Sequence, residues 1–214
     1  MDLGLAFSYV FQDPDWLKKV IIHGLIGLIP IVGQLVLLGW ALEISRRVIR
    51  HETDLLPDFE DFGGRLMLGL KGFVIGLIAA LPIILVAIAY SIIAALAGDN
   101  DTMAVLFSGA SICMSCFSIL YGLLLMFAVP AAYGILAATD QLGEAISPAK
   151  IMQLLRAAPA GYLLTLLGTL IAGFIGGLGS IACGVGVILT YAYAFAIQGH
   201  LYGQAYNEAT KAAV

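Results

Sequence analysis

Apolar residues run through this chain in blocks too long for a soluble core, and the polar residues gather in short gaps between them. After a mixed opening, 1–19, the first block covers 20–42 and is apolar except for His23 and Gln34. A charged stretch, 43–65, follows and holds Arg46, Arg47, Arg50, Glu52, Asp54, Asp58, Glu60 and Asp61. The next two blocks, 66–97 and 103–139, are separated only by the turn-rich joint Gly98-Asp99-Asn100-Asp101-Thr102, which predicts an antiparallel helical hairpin over 66–139. A second polar stretch, 140–156, precedes the last apolar region, 157–199, with the hairpin it forms running on to 206 and a tail over 207–214. At about 43 residues this region is twice the length of one span, and Gly176-Gly177-Leu178-Gly179 offers the bend. The pattern predicts an all-α integral membrane protein in a single helical domain, 1–214: helical hairpins, each preceded by an interfacial amphipathic helix, giving four full spans plus the first block.

Basic residues set the orientation, because Lys and Arg beside a membrane are retained on the cytoplasmic side. Arg46, Arg47, Arg50, Arg65 and Lys71 lie on one side of the first hairpin, Lys150 and Arg156 join them, and Lys211 marks the tail. The bends at 98–102 and 176–179 contain no basic residue and are expected to face out, with both termini cytoplasmic. Block 20–42, at about 23 residues, is long enough to cross once as a fifth span, but that would leave Lys18 and Lys19 outside. A break at Pro30-Ile31-Val32-Gly33 returns both arms to the cytoplasmic side, since Pro removes a helix hydrogen bond and Gly relaxes the backbone. The re-entrant hairpin is the preferred reading, on condition that other protein buries the free backbone groups of the turn.

Three Pro-marked helix starts, at Pro14, Pro57 and Pro148, each precede an apolar block, and Arg65 and Arg156 stand at the same offset from Pro57 and Pro148. Each start mixes apolar and polar residues, so it is expected to lie along the interface before the chain turns into lipid. A threefold repeat and ordinary Pro-capped helix starts both fit this spacing.

The run Phe11-Gln12-Asp13-Pro14-Asp15-Trp16-Leu17-Lys18-Lys19, the break Leu28-Ile29-Pro30-Ile31-Val32-Gly33, the pair Gly39-Trp40, and Leu56-Pro57-Asp58-Phe59-Glu60-Asp61 followed by Gly69-Leu70-Lys71 resemble a prokaryotic multi-pass membrane family known only as a domain of unknown function, DUF4013. That family's pattern has Tyr and Trp where this chain has Trp40 and Phe59, and the likeness is specific over roughly the first third. The resemblance implies a helical membrane protein and brings no activity or site.

Ionisable groups at membrane depth are costly and are functional candidates by default. Here they are His23, Lys71 and, near the exit of the last helix, His200 with Gln204; Gln34, Ser111 and Ser115 add uncharged polarity. His23 lies barely a turn past Lys19, and Lys71 about two turns inside its block, so both read as interfacial or snorkelling side chains before they read as relays or ligands. His200 reads first as a polar anchor among the interfacial tyrosines Tyr191, Tyr193, Tyr202 and Tyr206. Cys113-Met114-Ser115-Cys116 has C-x-x-C spacing without a second pair or a His cluster, and reads as small-residue packing. A row of small residues, Gly168, Ala172, Gly176, Ser180 and Gly184, recurs every four positions and predicts close helix packing.

Composition closes other classes. With 10 Lys and Arg among 214 residues and a net charge of −4, a nucleic-acid surface is not expected. No Ser-His-Asp set, phosphate loop, metal-ligand cluster or deep acidic pair appears, so no catalytic, cofactor or metal residue is assigned and an enzyme is the least favoured class. The expected role is a structural, scaffolding or accessory membrane component whose partners are membrane lipids, with a membrane-protein partner or a second copy beside them. The alternative is a small-solute transporter or channel built on the broken helix at Pro30 and Gly33 and the Ser/Cys-rich helix over 108–118.

Overall fold

Long stretches of Leu, Ile, Ala and Met, good helix formers without β-period alternation, account for a molecule in which every regular element among the described residues is helical. The computed structural model describes residues 1–97, 101–182 and 185–212; Gly98, Asp99, Asn100, Cys183 and Gly184, which carry the expected outer bend, a cysteine and the end of the small-residue row, lie outside them. The elements are α1 (Leu3–Ser8), a 3-10 turn (Tyr9–Gln12), α2 (Trp16–Gly27), α3 (Val32–Ile49), α4 (Phe62–Ala97), α5 (Asp101–Thr139), α6 (Leu142–Ala145), α7 (Pro148–Ala157), α8 (Pro159–Leu178), a second 3-10 turn (Gly179–Ala182) and α9 (Val185–Ala212).

Among the described residues, three segments are long and apolar enough to cross a membrane: Phe62–Ala95, Phe107–Thr139 and Pro159–Ile181. The last helix, α9, is the buried axis of the fold: Ala192, Ala196, Ile197, Leu201, Ala205 and Ala209 are inaccessible along it. It packs against α8 on one side and α3 on another, and α3 in turn packs against α4. One face of α1 and the first 3-10 turn is covered by protein, while Leu5 and Phe11 on the other are exposed. Ala6 and Val10 are fully buried, and the Tyr193 hydroxyl donates to the Phe7 carbonyl at 2.6 Å, so the opening segment is docked on α9.

One boundary falls elsewhere than Pro placement predicts. Pro57 does not start a helix; the chain turns for several more residues until the Asp61 carboxylate accepts the Gly64 N–H at 2.8 Å, and this side-chain cap opens α4. The glycines Gly176 and Gly177 stay helical, and α8 ends only at Leu178, because glycine in an apolar helix permits a bend without imposing one.

The break in the first apolar block is where Pro30 and Gly33 place it. Ile31, between α2 and α3, has φ 66° and ψ −65°, and the Val32 N–H donates to the Pro30 carbonyl at 2.7 Å, which makes Ile31 the centre of a γ-turn of the strained kind. The glycine at 33 allows the second arm to fold back, since a Cβ there would stand 2.0 Å from the Ile26 carbonyl oxygen.

Candidate functional site

The turn leaves backbone groups of α2 without helix partners, and Gln34 serves them. Its amide nitrogen donates to the Gly27 carbonyl at 2.9 Å, and its amide oxygen accepts from the Tyr191 hydroxyl of α9 at 2.8 Å. Around this polar clamp the tip is hydrocarbon: Leu25, Leu28, Ile29, Ile31 and Val32 are all exposed, Ile31 by 77%. Both arms end at the same place, where the Lys19 ammonium donates to the Leu56 carbonyl and the Arg47 guanidinium to the Asp54 carbonyl, at 2.7 and 3.0 Å.

That end is a charged belt. Asp140 closes α5 with φ 59°, a conformation Asp tolerates, and its carboxylate meets Arg46 of α3 at 3.0 Å and Lys71 of α4 at 3.1 Å. Arg46 Nε also donates to the Ala137 carbonyl at 3.2 Å, placing a cation on the free carbonyls of the α5 terminus. Lys19 meets Asp13 at 2.7 Å and Asp58 at 3.3 Å. Burial pulls the Lys19 pKa down, but the Asp13 hydrogen bond and the charges of Asp13 and Asp54, with Asp58, outweigh it, so the net shift is upward.

At the centre sits His23, fully buried and stacked on Trp40 with ring centroids 4.1 Å apart and planes at 12°. Its two nitrogens have assigned roles by geometry. Nδ1 lies 2.7 Å from the Lys19 carbonyl oxygen, which can only accept, so Nδ1 carries the proton. Nε2 lies 3.1 Å from Nη1 of Arg65, which can only donate, so Nε2 offers its lone pair. His23 is therefore a neutral acceptor that holds the guanidinium of Arg65, itself 5% exposed, with its Nε unpartnered. Trp40 and Phe59 cover the His23 ring, which among the described residues makes no contact with a carboxylate, whereas Lys19 one turn earlier reaches Asp13 and Asp58.

His200 is the second buried histidine. It stacks on Tyr9 at 4.4 Å, its Nδ1 accepts from the Gln204 amide at 2.9 Å, and the same amide donates to the Asp2 carbonyl at 3.0 Å. The pair joins the N-terminal segment to α9, remote in contact from His23. Ser111 and Ser115 donate to the carbonyls one turn back, Phe107 and Ser111, each at 2.8 Å, and Ser115 with Cys113 and Cys116 is exposed on the outer face of α5. Gly168 faces Leu201, Ala172 is fully buried and Gly176 faces Ala194, all toward α9, whereas Ser180, in the 3-10 turn, is exposed and donates to the Gly177 carbonyl.

The tightest approaches involve other glycines. A Cβ on Gly39 would lie 1.9 Å from the Arg65 carbonyl oxygen, one on Gly69 1.8 Å from that of Leu35, and one on Gly199 2.2 Å from that of Ala41. Gly203 likewise abuts the Ser45 carbonyl, at 2.7 Å. Sequence reading passed over these, although Gly199-Gly203 has the small-xxx-small spacing that could have pointed to them. Arg65 and Trp40 were also missed as partners of His23, because they stand 42 and 17 positions away with no local pattern linking them.

A family model described as a protein of unknown function (DUF4013) matches residues 22–185, more than half of the chain. Neither a curated protein nor a solved structure matches it.

Proposed function

Since the chain belongs to the DUF4013 family, whose description assigns no activity, we propose that it is a multi-pass protein of the prokaryotic inner membrane. In this reading it serves as a structural, scaffolding or accessory component rather than an enzyme. The observation that carries this is the packing of α3 between α4 and α9: Gly39, Gly69 and Gly199 bring backbone against backbone, so no solute path runs between the helices at those crossings. The Ser111 and Ser115 hydroxyls donate to carbonyls of their own helix, and Ser111 also meets the Tyr90 hydroxyl of α4, which supports the same conclusion.

In this placement α2 and α3 form a re-entrant hairpin. The 12 residues of α2 rise about 18 Å, short of the roughly 30 Å hydrocarbon layer, and the apolar tip immersed in lipid has its free backbone served by Gln34. The charged belt and both termini face the cytoplasm, and the small-residue row of α8 packs within the chain against α9. Cysteines placed singly at Ser8 and Ile31 test this placement: Ser8→Cys is expected to react with a membrane-impermeant maleimide only in inverted vesicles, and Ile31→Cys in neither orientation. Labelling of either from the outer face contradicts the re-entrant hairpin.

The broken helix favours a second reading, a small-solute transporter, since discontinuous helices line many solute sites. Proteoliposomes challenged with a panel of ions, amino acids and sugars separate the two. No flux above empty liposomes is expected; a selective flux lost in Pro30→Ala would replace scaffolding by transport.

A further inference from the structure

A cavity of about 390 Å³ opens at the start of α4, where charges of both signs meet. Most are already matched: Arg46 and Lys71 by Asp140, Arg47 by Glu43 and Asp54, and Asp58 by Lys19. Three lining residues are left. Arg65 is buried, makes no ion pair, donates only to neutral His23 and has an unpartnered Nε. Glu60 is exposed and has no partner among the described residues, and Asp61 accepts only the Gly64 N–H.

A buried guanidinium whose nearest carboxylates, Glu43, Asp61 and Asp58, act on it only from beyond ion-pair distance is incompletely compensated, and its planar fork fits a phosphate. The unpaired carboxylates at the mouth fit an ammonium. On the same first turns of α4, Phe62 and Met67 are exposed, Met67 by 57%, and offer hydrocarbon beside the polar cavity.

We propose that this cavity binds the headgroup of a zwitterionic aminophospholipid, its phosphate on Arg65, its primary ammonium on Glu60 and Asp61, and its acyl chains along Phe62 and Met67. His23 acts as a positioning residue: fixed by the Lys19 carbonyl and the Trp40 face, it holds Arg65 without neutralising it. The net charge of the three unmatched residues is negative, so an anionic lipid lacking the amine is disfavoured.

The inference rests on the membrane placement of α4 proposed above but not on the scaffolding role. Headgroup binding is read in detergent without any flux measurement, so either can fail alone. Detergent-purified full-length protein is titrated with phosphatidylethanolamine, phosphatidylglycerol, O-phosphoethanolamine and inorganic phosphate, with binding followed by native mass spectrometry and thermal shift. Phosphatidylethanolamine is expected to bind roughly tenfold tighter than phosphatidylglycerol, and Arg65→Gln to weaken it by roughly tenfold or more. Glu60→Gln, an exposed substitution that leaves folding intact, is expected to erase the preference for the amine-bearing lipid. Equal binding of the two lipids by the native protein, or an unchanged preference in Glu60→Gln, overturns the proposal. O-phosphoethanolamine binding as tightly as the lipid overturns the lipid assignment, leaving a soluble headgroup as the ligand.

Discussion

The first half of α4 and its distal half are both rich in Leu and Ile, yet their surroundings are opposite. Around Arg65 and Gly69 the helix touches α3 backbone to backbone, and Leu68 and Ile75 are buried. Farther along, Leu81, Ile84, Leu85, Val86, Ile88, Ile92 and Ile93 are all exposed. An apolar side chain by itself does not say whether protein or lipid covers it, because lipid is as apolar as leucine. What distinguishes them is the absence of side chain at the right positions: glycine where another backbone arrives, and bulky aliphatics where none does.

The sharpest way to break this contrast is one methyl group. Gly69→Ala sets a Cβ 1.8 Å from the Leu35 carbonyl oxygen, and Gly39→Ala one at 1.9 Å from that of Arg65. Each should destabilise the detergent-solubilised protein by about 3 kcal/mol, read as a loss of cooperative unfolding or a marked fall in Tm. Next, Gln34→Leu removes the clamp on Gly27 and Tyr191 and should cost about 1–2 kcal/mol by the same measurement, more than Leu25→Gln or other polar changes at the neighbouring exposed tip positions in micelles. Gly109 and Gly122 lie on α5 with nothing within 4 Å of a built Cβ, so Gly122→Ala should stabilise by about 0.5–1 kcal/mol, the opposite sign to Gly69→Ala. The smallest effect belongs to Asp140→Asn: its carboxylate is 57% exposed despite its two cationic partners, so the loss should stay within about 1 kcal/mol and shrink further as salt is added. A glycine pair as forgiving as Gly122 would mean that α3 and α4 are not in the contact described.

How much of this was legible in the sequence differs by element. The helical class and the long apolar blocks were readable, since block length and period are local properties, whereas a row such as Gly168, Ala172 and Gly176 names a helix face without naming what meets it. That row loses phase at Ser180 because the helix gives way to a 3-10 turn there, a change no spacing rule announces. The start of α4 was misplaced because Pro57 is the louder signal, while Asp61 acts through a side-chain cap that becomes visible only with the backbone in place. His23 was the least legible. Beside Lys19 it has the look of an interfacial residue, and its burial is decided by Trp40 and Arg65, which reach it only after α2, α3 and α4 have come together.

Ile31 shows what such an interruption demands of its solvent. A β-branched residue at φ 66° carries about 1–3 kcal/mol of backbone strain that glycine would avoid. Its side chain is 77% uncovered by protein, and moving an isoleucine from water into hydrocarbon returns about 1.5–3 kcal/mol. The two amounts are of the same size. In the proposed placement, hydrocarbon around the tip offsets the strain while the Gln34 clamp serves the backbone beneath it, and a tip withdrawn into water would lose the first of these supports.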